Sequence, residues 1–181
     1  PIVRKDGSRM FKNENDAYKW MYNQSMKNNR REVLAVVLNN SVLVLPDDLN
    51  TQTESFIKEY GYSFTNGNLN DPITNTILSV VFTIHTHLYP GVKNDRYNAP
   101  IGQDEYTWGA LTPNKPYLTM AKDGYIYGQY GTYKNGDLHT TAIAFDKSFS
   151  AYPKITNAMI MNNIPLRAYL QFYMKMIARI K

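Results

Sequence analysis

Arg31-Glu32-Val33-Leu34-Ala35-Val36-Val37-Leu38-Asn39-Asn40-Ser41-Val42-Leu43-Val44-Leu45 is the stretch on which the fold turns. Val33 to Leu38 is uninterrupted apolar sequence, which predicts a strand covered on both faces and therefore central in its sheet. Asn39-Asn40 is a turn signal, and Ser41 to Leu45 returns as a second strand before Pro46, making a hairpin. Upstream, Asn13 to Asn29 reads as a helix. Asn13 or Asn15 can cap it, Glu14 and Asp16 suit its positive end, and Lys27 suits the other. Ala17, Trp20, Met21 and Gln24 make its mostly apolar stripe, and Asn28-Asn29 ends it.

Downstream the pattern is mixed. Phe56, Ile57, Tyr60, Tyr62 and Phe64 fit a strand, or a strand plus irregular loop, before an Asn66-Gly67-Asn68 turn. Asp71-Pro72 predicts a short helical stretch to about Leu78, with Pro in the first turn. Ser79 to Ile84 reads as a buried strand that runs into His85-Thr86-His87. Leu88 to Pro100 reads as loop, and Gln103 to Leu111 as a short helix ended by Thr112-Pro113. Pro116 to Ala121 and Tyr125 to Tyr130 form a hairpin across Lys122-Asp123-Gly124, and Leu138 to Phe145 is a last strand. Asn163-Ile164-Pro165 starts a C-terminal helix to Lys181, with Leu166, Leu170, Tyr173, Ile177 and Ile180 at core-facing spacing. The expected fold is α+β, one domain over residues 1–181.

Composition narrows the function classes. At 181 residues, 43% hydrophobic and 19% charged, the chain is globular in type. The absence of Cys removes disulfides, Cys-ligated zinc and thiol nucleophiles together. Lys and Arg (20) exceed Asp and Glu (15) by 5 without forming a basic stripe, so no nucleic-acid partner is expected. No run of about 18 apolar residues is present, so no stretch suits a transmembrane helix. Pro1-Ile2-Val3-Arg4-Lys5-Asp6 carries neither a signal-peptide apolar stretch nor an initiator Met, so a processed chain or excised fragment is expected. Gly-rich phosphate loops and Gly-x-Ser-x-Gly are absent, leaving nucleotide hydrolysis and serine esterase chemistry unsupported.

His85 and His87 alternate by two at a strand end, so both imidazoles leave the same face. Such a pair is a preformed half of a metal site. The plainer alternative is two hydrogen-bonded or surface histidines. A zinc site needs a third protein ligand, and the nearest downstream carboxylates are Asp95, Asp104 and Glu105. A catalytic site also needs a proton acceptor. Glu32, at the head of the central strand, fits by position, although it can equally be that strand's exposed first residue. His139 reads as structural within its strand, and Trp108 as core packing.

The order of these elements resembles the JAMM (MPN-type) zinc metallopeptidases. It runs from a Glu heading an apolar strand (Glu32), through His-x-His (His85, His87) and an Asp opening a short helix (Asp104), to a hairpin. Asp104-Glu105-Tyr106 and Pro116-Tyr117-Leu118-Thr119-Met120-Ala121-Lys122-Asp123-Gly124-Tyr125-Ile126-Tyr127 look like the bacterial branch. Phe11, Ala17, Met21 and Leu43-Val44-Leu45-Pro46 are similar to JAB-like domains at the ends of Rhs-type proteins. The resemblance covers about 11–130, leaving 131–181 as an elaboration with the added C-terminal helix. It implies a curved mixed sheet flanked by helices, of cytidine-deaminase-like architecture. It further implies zinc on His85, His87 and Asp104, with Glu32 as general base. The implied activity is hydrolysis of peptide or isopeptide bonds in a protein or peptide substrate. The implied setting is an effector domain of a larger exported bacterial protein.

Two departures from the family pattern stand out. Sixteen residues, Leu88 to Gln103, separate His87 from Asp104, a longer loop than the family has. Ile101 occupies the position of the family's Ser, whose hydrogen bond stabilises the tetrahedral intermediate. Loss of one such donor commonly costs about 10²–10³-fold in rate. Thr86, Asn98 or Tyr106 is then required as a substitute, or the domain binds without turning over. Asp95 remains an alternative ligand to Asp104.

Overall fold

The computed structural model describes residues 1–27, 32–47, 57–87, 111–113, 115–121, 126–134 and 137–141. In chain order the strands are β1 (Ile2–Val3), β2 (Arg9–Phe11), β3 (Leu34–Val37), β4 (Val42–Val44), β5 (Ser63–Thr65), β6 (Asn68–Asp71), β7 (Thr76–Leu78), β8 (Phe82–His87), β9 (Pro116–Ala121), β10 (Ile126–Lys134) and β11 (Asp137–Thr141). Helix α1 spans Glu14–Met26, and a 3-10 turn covers Lys58–Tyr60.

Among the described residues the main sheet has eight strands in the order β1-β2-β4-β3-β8-β9-β10-β11, and β5-β6-β7 form a second, three-stranded sheet. Within the main sheet β8 and β9 run parallel and every other pair is antiparallel. The fold is thus α+β with a mixed sheet. Strand β3 lies fourth of eight and all four of its residues are buried, as its unbroken apolar sequence requires. Its two faces meet different layers. Ala35 and Val37, with Val42, Val44, Phe82, Ile84, Leu118 and Met120, pack with Ala17, Tyr18 and Met21 of α1. Leu34 and Val36, with Leu43 and Tyr117, pack with Tyr62, Leu69 and Val80 beneath the small sheet. Each such aliphatic side chain contributes roughly 1.5–3 kcal/mol by leaving water.

The helix begins where Asn13 Oδ1 accepts from Asp16 N at 3.1 Å, so Asn13 rather than Asn15 is the cap. Its buried stripe is Ala17, Tyr18 and Met21, extended by Ser25, while Trp20 is partly exposed against Phe11 and beneath the Arg9 guanidinium. The residues given as its end, Asn28-Asn29, lie outside the described residues. So do the loop over 88–100, the helix given as Gln103–Leu111 in all but its last residue, and the C-terminal helix.

Residues 72–78 are not helical. Asp71 Oδ1 accepts from Ile73 N at 3.0 Å, the bond a helix cap makes, and Oδ2 accepts from the Thr74 hydroxyl at 2.9 Å. The chain then reverses at Asn75, whose φ of 53° is left-handed, and pairs Thr76 back onto Asp71 as β7. The strand given as Ser79–Ile84 starts at Phe82 and carries both histidines within it. Phe64 belongs to β5, and Tyr62 precedes that strand as a buried residue. The turn that follows is tight, with Asn66 and Gly67 both at positive φ (51° and 76°). The last hairpin runs from Ile126 to Lys134 and resumes at Asp137, so the main sheet continues past both ends of the 11–130 stretch.

The N-terminal residues form a hairpin with no counterpart in the sequence reading. Its turn is held by Asp6, whose carboxylate accepts from Ser8 N at 3.0 Å and Ser8 Oγ at 2.5 Å. Tyr62 Oη donates to the same carboxylate at 2.5 Å, and Arg4 pairs with Asp71. These contacts bind the small sheet to the N-terminal end of the chain. Lys115, just before β9, adds a second tie by donating to Gly67 O at 2.9 Å and Asn68 Oδ1 at 2.6 Å.

Candidate metal centre

The register of β3 against β8 builds the site. Leu34 pairs with His85 and Ala35 with Ile84, so His85 shares the face of Leu34, beneath the small sheet, while Ile84 turns to α1. Thr86 N donates to Val33 O at 3.0 Å, continuing the ladder one residue further and setting Glu32 level with His87. Period-two alternation then puts Glu32, His85 and His87 on one face. The three offer ligand atoms that all lie within 4.8 Å of one another.

All three side chains are buried: His85 at 0%, His87 at 4% and Glu32 at 8% exposure. Burial excludes the reading of Glu32 as an exposed strand start. The two Nε2 atoms are 3.0 Å apart, with the rings at 74° and their centroids 4.7 Å apart. Two nitrogens held about 2.0–2.1 Å from one ion at a tetrahedral angle stand about 3.3–3.4 Å apart. The observed pair therefore needs to open by only some tenths of an ångström to receive a metal. Imidazole and carboxylate together are the donor set of zinc and other first-row divalent ions. A buried Glu beside two buried His can hold a metal ion. A charged carboxylate in such a place is costly without a compensating partner.

Thr86, between the histidines, faces the other way. Its Oγ1 accepts from Val33 N at 2.9 Å and lies 2.9 Å from Ser25 Oγ on α1, all three residues being fully buried. This locks the start of β3 to the end of β8 and α1, and so sets the spacing of Glu32 from the histidines. The same orientation corrects the expectation that Thr86 substitutes for the family Ser: its hydroxyl is on the helix side of the sheet. Asp104, Asp95, Ile101, Asn98, Tyr106 and Trp108 lie outside the described residues. His139 is on β11, paired with Thr132, three strands along from β8 and roughly 14 Å away at ordinary strand spacing.

Two hydroxyls were not singled out from the sequence. Thr83 on β8 and Thr119 on β9 are both fully buried, and neither Oγ1 has a hydrogen-bond partner among the described residues. Thr83 precedes His85 by two and Thr119 is its register partner on the parallel strand, so both share the histidine face. The available signal was Thr119 itself, a polar residue within Pro116-Tyr117-Leu118-Thr119-Met120-Ala121.

The polar ties that hold the small sheet have shifted ionisation. Burial alone would raise the Asp71 carboxyl, but hydrogen bonds from Arg4, Ile73 N and Thr74 outweigh it and hold the group below its ordinary value. Asp6 behaves likewise, with burial opposed by Ser8, Tyr62 and the Arg4 charge. Tyr62 is pushed well up by burial and by its bond to Asp6. Lys115 is pushed down by burial.

Comparison with protein-family models, curated proteins and solved structures finds no match to this chain. Among the described residues no helix is long and apolar enough to cross a membrane.

Proposed function

We propose that the chain is a zinc-dependent hydrolase of peptide or isopeptide bonds, similar to the JAMM metallopeptidases. In this reading His85, His87 and Asp104 hold the metal and Glu32 is the general base. The supporting observation is the convergence of buried Glu32 with His85 and His87 on one face of the β3–β8 pair, with Nε2 atoms 3.0 Å apart. Bound zinc would supply a Lewis acid that polarises the scissile carbonyl and eases deprotonation of water. The Glu32 carboxylate takes a proton from the attacking water as the carbonyl carbon is attacked, then returns it to the leaving amine nitrogen as the C–N bond breaks. His85 and His87 present their ring nitrogens from a rigid strand, and burial strengthens every charge interaction among the three groups. The setting that goes with this reading is an effector domain of a larger exported protein.

A second reading, a JAMM-like module that binds a protein or peptide without cleaving it, is favoured by one observation. The hydroxyl nearest the histidines in sequence, on Thr86, faces α1 rather than the site. Metal content by plasma mass spectrometry, on protein purified without chelators, separates the cases when combined with a peptide and isopeptide cleavage screen. The hydrolase reading expects near one zinc per chain, lost in His85→Ala/His87→Ala, and cleavage lost in Glu32→Gln with metal retained. Zinc without cleavage selects the binding module. Folded protein that takes up no zinc on addition overturns the hydrolase reading and leaves a binding or purely structural domain.

A further inference from the structure

The buried hydroxyl of Thr119 has no hydrogen-bond partner among the described residues and sits on the strand next to His85. A fully buried hydroxyl without a partner costs free energy, so its retention within a strand calls for a group it serves. The strand register identifies that group. Thr119 is paired with His85 across the parallel β8–β9 ladder, on the same face, while Thr83 and Tyr117 form the preceding pair. Neighbouring strands are about 4.8 Å apart, and a hydroxyl one bond from its β-carbon spans that gap only to atoms close to the partner's backbone.

The imidazole has one such atom. In His85 the Nε2 atom is hydrogen-bonded to His87 Nε2 at 3.0 Å and is the nitrogen that would meet an ion held by both rings. Nδ1 is bonded to the ring carbon nearest the strand, and in the structure it makes no hydrogen bond to Thr119 Oγ1. Histidines that ligate a metal through one nitrogen characteristically donate the other ring N–H to an oxygen, which fixes tautomer and ring orientation. We infer that Thr119 is the positioning residue for His85: its Oγ1 accepts a hydrogen bond from His85 Nδ1–H when Nε2 binds metal. The inference rests on the metal-site reading above. Thr83 is the control, a buried hydroxyl of the same face that is not the register partner of His85. It stands two residues from His85 on one strand, about 6.6 Å away along the chain.

The test compares Thr119→Val, which keeps the shape without the hydroxyl, with Thr119→Ser, which keeps the hydroxyl, and with Thr83→Val as a control. Zinc dissociation constants are measured by competition with a chromogenic chelator, and the visible spectrum of the cobalt(II)-loaded protein reports ligand geometry. Thermal unfolding of the metal-free forms verifies folding. The expected result is zinc affinity about 10–100-fold weaker in Thr119→Val. It should be restored to within a few-fold in Thr119→Ser and unchanged in Thr83→Val, with an altered cobalt spectrum in Thr119→Val alone. Wild-type affinity in folded Thr119→Val overturns the positioning role and leaves the metal site standing. Equal weakening in Thr83→Val also overturns it, since general polarity of the face then accounts for the effect. Failure of the folded wild-type chain to bind zinc or cobalt removes the metal reading itself, a distinct outcome.

Discussion

Thr83 and Thr86 lie on one strand, both fully buried, yet replacing each by Val should have opposite consequences. Val matches Thr in shape, so each substitution tests the hydroxyl alone. In Thr86→Val the Val33 amide loses the acceptor it holds at 2.9 Å, and Ser25 Oγ loses a contact of the same length. A buried N–H left without its acceptor costs about 1–3 kcal/mol, and the second hydrogen bond is worth about 0.5–1.5 kcal/mol, so ~2–4 kcal/mol of stability should be lost. For a chain of this size each kcal/mol moves the melting temperature by about 2–4 °C, giving a fall of roughly 4–16 °C. Thr83→Val removes a hydroxyl that has no hydrogen-bond partner among the described residues and should leave stability unchanged or slightly raised. Equilibrium urea denaturation of the metal-free proteins reads both, and a cycle with Ser25→Ala apportions the share carried through α1. A Thr86→Val protein within about 0.5 kcal/mol of wild type would refute the lock between β3, β8 and α1. So would equal losses from the two substitutions.

Glu32→Gln keeps the shape of the side chain and removes its basicity. Under the hydrolase reading it should retain zinc while cleavage falls by about 10²–10⁴-fold, measured by parallel metal analysis and steady-state kinetics. Asp6 and Asp71 are held below their unfolded values, so the stability they contribute is present above about pH 4 and is lost as the pH falls through their lowered folded values. Urea midpoints should therefore decline below about pH 4, and the decline should be shallower in Asp71→Asn, which starts from a lower plateau. Gly67→Ala places a side chain at φ 76°, with its β-carbon 3.2 Å from Lys115 Cε, and should cost about 1–3 kcal/mol by thermal unfolding. Loss of the Lys115 tie should then appear as faster amide exchange in β5 and β6.

Much of the frame is legible residue by residue. Val33 to Leu38 announced a strand with two covered faces, and Asn39-Asn40 between two apolar runs announced the hairpin. An Asn cap at the start of α1, at 13 or 15, and the two strands flanking 122–125 follow from equally local chemistry. Asp71-Pro72 misled because an Asp that caps a helix and an Asp that closes a turn make the same first hydrogen bond. What separates them is the left-handed Asn75 four residues on, together with pairing partners in β6 and β7. The N-terminal hairpin was illegible for a related reason: Ile2 and Val3 are exposed, and their strand is held by Asp6, Tyr62, Arg4 and Asp71 contacts that join residues far apart in sequence.

The candidate site divides the same way. That His85 and His87 leave one face is a property of the sequence, since side chains in any strand alternate with period two. That Glu32 joins them, that Thr86 turns its back on them and that Thr119 stands beside His85 depend on which strands pair and in what register. A slip of one residue between β3 and β8 would send Glu32 to the opposite face. Register is decided by how the apolar faces of β3 and β8 fit between α1 and the small sheet, contacts made across dozens of intervening residues. Local sequence therefore determined the donors, and the tertiary packing of two covering layers decided which of them meet.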